Sequence, residues 1–409
     1  MISAEPALRA ILESTATLLA RELPLTEALG RILAEDVAAD VDLPTASNSA
    51  VDGYAVVAAD TAGAAERAVQ LKLLERVAAG QVPTQPVVSG STSKVLTGAN
   101  IPQGADAMVM VEHAEEREGS VWIRRPARAG DFVRSAGEEL RAGEIALRRG
   151  HRLRPPELGL LAAVGRSKVR VIPPPRVAIL VTGDELVEPG ERLEPGKVRN
   201  SNLPTLAGLV MDAGATPVPV GVGRDTREQL AGLIAHGLKQ AEVLLTTGGV
   251  SMGDFDLIQH LLPEAGVQER FHGVNIKPGK PLFFGTRGTQ LIFGLPGNPV
   301  SAAVCFEVFV RPALRRLMGI EPALRPTTRA RLETPIVKSD GKRHFLRVTL
   351  RREQGELWAR PTGPQGSHLI SSVVRADGLL IFPEATRQLE TGAAIEVLPL
   401  PYAPISRQG

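Results

Sequence analysis

Residues 243–256 read V-L-L-T-T-G-G-V-S-M-G-D-F-D, and this stretch decides how the middle of the chain folds. A short apolar strand run ends in Thr246 and Thr247, breaks into Gly248, Gly249, Ser251 and Gly253, and then presents two carboxylates, Asp254 and Asp256. Glycines at the C-terminal end of a parallel strand let backbone N–H groups approach phosphate oxygens, because no Cβ intervenes and positive φ is accessible. The acidic pair, two residues apart, suits Mg²⁺, which takes oxygen ligands and is usually shared with substrate phosphates. The competing reading is a plain strand-to-helix turn whose aspartates cap a helix beginning near Phe255.

Outward from this stretch, strands and helices alternate. Strands are expected at residues 176–181, 217–220, 243–246 and 290–293, and helices at 203–213, 227–240, 255–262 and 300–318. Such alternation predicts a parallel sheet covered on both faces, with ligands at the strand C-terminal ends. Before the Pro173-Pro174-Pro175 break the pattern differs. Helical spacing is read at residues 7–19, 26–33 and 156–164, and residues 42–134 form short strands and Gly-, Pro- and Thr-rich turns, with strands at 69–74, 107–111 and 121–123. Beyond Pro322 and Pro326, residues 328–398 again read as strands.

The expected fold is therefore multi-domain α/β plus β. A discontinuous helical linker and dimerisation domain takes residues 1–41 and 135–172, and an inserted β-rich domain takes 42–134. A three-layer α/β/α domain takes 173–322, and a C-terminal β-barrel-like domain takes 323–409. A length of 409 residues exceeds one typical core and accommodates this division.

Composition excludes several function classes. Lys plus Arg total 47 and Asp plus Glu 45, so no basic footprint for nucleic acid exists, and 3 % aromatic residues are too few for base stacking. No apolar run reaches membrane-span length and the first residues lack a basic leader, so a cytoplasmic protein is expected. The single cysteine, Cys305, sits in an apolar run and reads as packing rather than nucleophile. The seven histidines show no zinc-site spacing and read as surface or local hydrogen-bonding groups. Neither a P-loop, a dinucleotide fingerprint nor a serine nucleophile elbow occurs.

Four more segments fall at strand ends of the α/β region. T-G-D-E-L at residues 182–186 supplies Glu185, and Asp225 follows Gly221 and Gly223. I-K-P-G-K-P at 276–281 sets Lys277 and Lys280 three apart, so that both ammonium groups can face one anion. L-P-G-N-P-V-S at 295–301 opens a helix with Asn298 and Ser301, donors suited to an oxyanion. Any one of these alone is a simple turn, but five at one sheet edge imply a polyanionic substrate managed partly by Mg²⁺.

Together with N-S-A-V-D-G-Y-A at 48–55, L-T-G-A-N-I-P-Q-G-A-D at 96–106 and Q-G-S-H at 365–368, these motifs closely resemble the molybdopterin molybdenumtransferase family, the MoeA family that also includes the gephyrin E domain. The resemblance runs in order from residue 1 to about residue 400. It implies Mg²⁺-dependent insertion of molybdate into adenylylated molybdopterin with release of AMP, in an elongated homodimer. It implies further that Asp52 and Thr97 reach across to the partner's site. By the same resemblance Lys277, Lys280, Ser301, Arg347 and Ser367 form the molybdate pocket. Glu185, Asp225, Asp254 and Asp256 handle Mg²⁺ and the adenylate phosphate, with Gly248, Gly249, Ser251 and Asn298 around the nucleotide. The upstream adenylyltransferase and molybdoenzyme apoproteins are the implied partners, with neither nucleic acid nor membrane.

The chain departs from the family pattern at Gly273, where many relatives carry Lys or Arg, and at Glu139, where the usual Gly-Glu-Asp reads Gly137-Glu138-Glu139. Two rival readings are the adenylyltransferase of the same pathway, which resembles residues 176–318 alone, and a dimeric scaffold of the gephyrin E kind. Residues 42–134 and 327–400 weigh against the first and the charged pocket against the second.

Overall fold

The structure is a computed structural model that describes residues 1–249 and 257–402. It divides into two compact units, one of Glu22–Leu29 and Leu33–Arg170, the other of Met1–Arg21, Gly30–Ile32 and Val171–Gly409.

The first unit is built on a six-stranded sheet in the spatial order Ala107–Met110, Gly53–Val56, Ser91–Val95, Val69–Val77, Ser120–Ile123, Ala114–Arg117. Register is tight where strands Gly53–Val56 and Ala107–Met110 pair: a Cβ on Gly53 would lie 2.1 Å from the Val109 carbonyl oxygen, so only glycine fits. One face packs around Tyr54, Val56, Leu71, Val109 and Val121. The same unit contains the helix Pro155–Ala163, whose first turn is closed by Glu157 accepting from the Arg154 amide at 2.9 Å. The helical spacing read at residues 26–33 is not realised. Leu25–Glu27 is a single 3₁₀ turn, Gly30 takes φ +76°, and Ile32–Leu33 is a buried strand. A glycine in the left-handed region interrupts the helical ladder before a second turn can form.

In the second unit the central sheet comprises β1 (Arg176–Thr182), β2 (Thr216–Gly223), β3 (Val243–Thr247), β4 (Gln268–His272), β5 (Phe283–Arg287) and β6 (Gln290–Leu295). Their spatial order is β2-β1-β3-β6-β5-β4. The first four in that order are parallel, but β6, β5 and β4 pair antiparallel, so the sheet is mixed rather than wholly parallel. The cause is local: Arg287 pairs with Gln290 across Gly288 and Thr289, and a two-residue hairpin can only reverse the strand.

Alternate residues of β1 and β3 enter opposite layers. Val177, Ile179, Val181, Val243 and Leu245 pack with α1 (Asn202–Asp212) and the C-terminal helix of the layer, whereas Ala178, Leu180 and Leu244 pack with α2 (Arg227–Gln240) and α3 (Leu257–Glu264). The helix Ala4–Glu13 adds Ala4, Ala7 and Ile11 to the first layer. The long final helix is α4 (Pro299–Cys305), a π turn at Phe306–Val310 and α5 (Arg311–Leu317). Pro312 accounts for the π turn, since it donates no hydrogen bond and its ring crowds the carbonyl of the preceding turn.

The chain ends in a closed five-stranded barrel of β7 (Thr328–Leu332), β8 (Arg343–Glu353), β9 (Glu356–Pro361), β10 (Gly378–Phe382) and β11 (Ala394–Pro399). The order is β8-β9-β7-β11-β10 and back to β8, around Leu332, Val348, Ala359, Leu380, Phe382 and Val397. Ile276–Lys277 adds a short parallel strand to β8, placing Lys277 opposite His344. The K-P-G-K-P loop of the α/β layer is thereby hydrogen-bonded to the barrel.

Candidate functional site

Some of the predicted residues of the second unit line two depressions, whereas Asp225, Lys280, Ser301 and Ser367 line neither. The larger encloses about 650 Å³ and is lined by Glu185, Gly248, Gly249 and Asn298 from the predicted set. Gly248 and Gly249 have φ of +85° and +62°, and a Cβ on Gly248 would come within 2.4 Å of the Thr182 carbonyl oxygen. The glycines after β3 thus satisfy a backbone requirement, and the same lack of side chains leaves the turn open to a ligand. Ser251, Asp254 and Asp256 lie outside the described residues.

Three acidic residues crowd the edge beside β1 and β2. Asp225 donates its backbone N–H to Asp184 Oδ1 at 3.2 Å, while partial burial and the charges of Asp184 and Glu185 push its carboxyl up from the usual range. Carboxylate oxygens held against mutual repulsion are the hard donors that Mg²⁺ takes, so the donor chemistry fits such an ion. Among the described residues, no group of three or more His, Cys, Asp or Glu side chains closes into a metal cage.

The smaller depression, about 320 Å³, is lined by Lys277, Lys338, Asp340, His344, Arg347 and Gln365 among others. Arg347 is 0 % exposed, and burial pushes its guanidinium down to about 10. Its Nε donates to Ser372 Oγ at 3.1 Å and its Nη2 to the Gly366 carbonyl at 3.1 Å, while Nη1 has no partner. No carboxylate pairs with it among the described residues. A buried cation is ordinarily compensated, so an arginine with a spare donor and no carboxylate partner among the described residues is unusual in a pocket wall.

The motifs are tied together by short contacts. Val300 at the start of α4 donates to the Ser367 carbonyl at 3.2 Å, so the Q-G-S-H loop is seated against L-P-G-N-P-V-S, with Ser301 buried in the first turn. Gln365 brackets Arg347, accepting from its N–H at 2.9 Å and donating to its carbonyl at 3.2 Å. Lys277 lines the smaller depression and lies 3.8 Å from Asp340 Oδ2, whereas Pro281, after Lys280, lines the larger one. The K-P-G-K-P loop therefore separates the two. Cys305 sits beneath it, its Sγ 3.7 Å from the Gly279 carbonyl, and burial pushes the thiol up, as expected of a packing residue.

Asp52 and Thr97 belong to the other unit. Pairing of Gly53 with Val95 brings them side by side, and Asp52 Oδ1 accepts from the Thr97 N–H at 2.7 Å and Oγ1 at 2.8 Å. These bonds hold the Asp52 carboxyl below its usual range. Both residues are exposed.

Reading the histidines as surface or local hydrogen-bonding groups holds for His113, His151 and His236, which bond to Arg125, Glu157 and Gln240. It holds also for His344, which bonds within its own turn, and for the exposed His368, although both line a depression. His344 is buried in the wall of the smaller depression, 2.6 Å from Asp340 Oδ1, and His368 lines the larger. Lys338, Asp340, Asn200 and Thr182 also line these depressions without having been singled out by sequence. The available signals were the V-K-S-D-G turn before β8 and the R-N-S-N run before α1.

Three family models match the chain in succession: "MoeA N-terminal region (domain I and II)" over residues 2–165, "Probable molybdopterin binding domain" over 178–316 and "MoeA C-terminal region (domain IV)" over 329–400. The chain is 37 % identical over 381 residues to molybdopterin molybdenumtransferase 2 of Mycobacterium tuberculosis, covering 92 % of this chain and 94 % of that one. It is 35 % identical over 379 residues to molybdopterin molybdenumtransferase of Bacillus subtilis, covering 91 % and 88 %. The crystal structure of the molybdopterin biosynthesis MoeA protein from Pyrococcus horikosii superposes with a TM-score of 0.84 at 34 % identity, covering 98 % of this chain and 99 % of that one. The family models and these relatives make the chain a transferase of molybdenum cofactor biosynthesis. Within that class the chain belongs to the MoeA family, the molybdopterin molybdenumtransferases. A single-domain adenylyltransferase reading leaves the matches at 2–165 and 329–400 without a counterpart.

Proposed function

We propose that the enzyme inserts molybdate into adenylylated molybdopterin and releases AMP. The observation that carries this reading is Arg347, a buried guanidinium with an unpartnered Nη1 beside Lys277 in a pocket adjoining the glycine-lined cleft. A tetrahedral dianion supplies the missing counter-charge. Lys277, Lys280, Ser301, Arg347 and Ser367 bind the oxyanion, while Gly248, Gly249, Ser251 and Asn298 hold the adenylate. Glu185, Asp225, Asp254 and Asp256 are the residues that would hold Mg²⁺, whose charge, when bound, neutralises the phosphate. The residues act by position and charge, aligning the dithiolene with the metal oxyanion, and no side-chain nucleophile is required.

In this reading the protein works in the cytoplasm as a homodimer. Asp52 and Thr97 of one subunit complete the partner's site. Residues 1–41 and 135–172 form the dimerisation domain, 42–134 the inserted domain, 173–322 the pterin-binding domain and 323–409 the barrel domain. The upstream adenylyltransferase delivers the substrate and molybdoenzyme apoproteins take the product. Among the described residues, no helix is long and apolar enough to cross a membrane.

The test is incubation of purified protein with adenylylated molybdopterin, Mg²⁺ and molybdate, measuring AMP release and bound metal together. Release that requires the oxyanion and accompanies metal incorporation supports the proposal. Pterin adenylylation from ATP instead would move the chain one step upstream, and inertness in both assays would favour a scaffold.

A further inference from the structure

Two buried polar groups of the larger cleft have no partner, and both are neutral. Asn200 is 2 % exposed and Thr182 4 %, and both line the cleft. Asn200 Nδ2 and Thr182 Oγ1 make no hydrogen bond among the described residues. The orientation of the carboxamide is fixed from behind: Leu203, in the first turn of α1, donates its N–H to Asn200 Oδ1 at 3.1 Å. Turning the amide over would set an N–H donor against that helix-terminal donor, so Nδ2 is the atom left over. The neighbouring Asn202 is different, since its Nδ2 already donates to Thr247 Oγ1 at 3.0 Å and to the Gly297 carbonyl at 2.7 Å.

Among the described residues, charge in this cleft comes from Glu185 and Arg199, both exposed, and Arg199 is held by the Glu191 carbonyl at 3.2 Å. The charged spare donor, that of Arg347, lies in the other depression. An oxyanion calls for cations or a cluster of N–H groups. One carboxamide donor and one hydroxyl lining the same cleft instead match the edge of a neutral heteroaromatic ring, which offers a ring nitrogen or carbonyl to Nδ2 and either kind of partner to Oγ1.

We propose that Asn200 and Thr182 read the edge of a heteroaromatic ring of the substrate and so determine which ring system the cleft accepts. The inference rests on the adenylylated-pterin reading, in which the substrate carries two such rings, adenine and pterin. Selection follows because a ligand without the matching acceptor leaves two buried groups unpaired.

The experiment is calorimetric titration of the full chain with AMP and, separately, with molybdopterin, comparing wild type with Asn200→Asp and Thr182→Val. Asn200→Asp keeps an oxygen for the Leu203 N–H but adds a negative charge as it removes the donor, so a loss of affinity there counts only where the neutral, isosteric Thr182→Val loses affinity for the same probe. Both variants are expected to melt within about 3 °C of wild type. Each is expected to lose about tenfold or more in affinity for at least one probe. Loss confined to AMP places adenine on the pair, and loss confined to molybdopterin places the pterin there. Unchanged affinity in both variants, with wild type binding the probes, overturns the inference and leaves the proposed reaction standing. A wild-type protein that binds neither probe overturns both.

Discussion

At the scale of single residues, Arg347 separates what the fold needs from what the site needs. Its guanidinium is buried without a carboxylate, so the folded state bears a desolvated charge for which its hydrogen bonds to Ser372 and Gly366 only partly compensate. Replacing it with Met removes the charge together with those two bonds. Arg347→Met is therefore expected to change unfolding free energy by no more than about 1 kcal/mol in urea denaturation. The same variant is expected to raise the molybdate concentration needed for half-maximal AMP release at least about tenfold, the worth of a charge-assisted hydrogen bond. A large stability loss with unaltered molybdate dependence would recast Arg347 as structural. Gly273 poses the opposite case. It takes φ +83°, and a Cβ there would lie 3.0 Å from Met1 Cγ, beside the bond from the Ile2 amide to the Gly273 carbonyl. A basic side chain at this position would be strained, so Gly273→Lys is expected to destabilise by about 1–2 kcal/mol in the same measurement. The glycine is plain in the sequence, but its backbone setting, an N-terminal segment hydrogen-bonded alongside, depends on residues some 270 positions away.

At the scale of elements, two helices show how buried charge is used to hold an end or a bend. In the π turn, Glu307 is 2 % exposed and accepts from Arg311 Nε and Nη2, each at 2.8 Å, and from Arg325 Nη2 at 2.6 Å. Arg311 also meets Asp212 at 2.8 Å. Glu307→Ala leaves two arginines without their shared acid, and a loss of about 3–5 kcal/mol in urea denaturation is expected. The other case is Glu157, whose carboxyl is pulled down to about 2, first by Arg154 and also by His151. A depressed carboxyl stabilises the folded chain above its unfolded pKa of 4.5 and loses that contribution as pH falls towards 2. Glu157→Gln should thus melt below wild type at pH 7, with the difference closing between pH 4.5 and 2; a gap independent of pH would mean that packing, not charge, is at work. Elements with strong periodicity, such as α2 and the apolar β1, were legible in the sequence to within a few residues. Those set by backbone geometry were not, because the π turn and the reversal at Gly288 and Thr289 depend on how a proline or a two-residue loop is accommodated by neighbours.

At the scale of the whole molecule, the motifs were legible because each is a short run of turn glycines, prolines and charges, and the fold brings those of the second unit to one edge. What was not legible is which pocket each residue serves. Lys277 and Lys280 stand three apart in sequence, but only Lys277 lines the smaller depression, because Ile276–Lys277 pairs with β8 of a barrel that begins some fifty residues later. Asn200 was hidden for a related reason: it falls two residues before α1 in a short polar run, and only the fold shows its side chain buried in the cleft wall. Asp52 and Thr97 are the remaining test of organisation. They are fixed to each other by two hydrogen bonds, but they belong to a different compact unit from Arg347. If each site draws Asp52 from one subunit and Asp256 from the other, a heterodimer of Asp52→Ala with Asp256→Ala contains one intact site and one doubly altered site. Random pairing makes half the dimers mixed, so a refolded equimolar mixture should recover about a quarter of wild-type AMP release, although each variant alone is inactive. The measurement is the activity of the mixture before and after subunit exchange. Recovery that appears only on exchange requires a shared site, and an inactive exchanged mixture would place Asp52 in the same chain's site or outside it altogether.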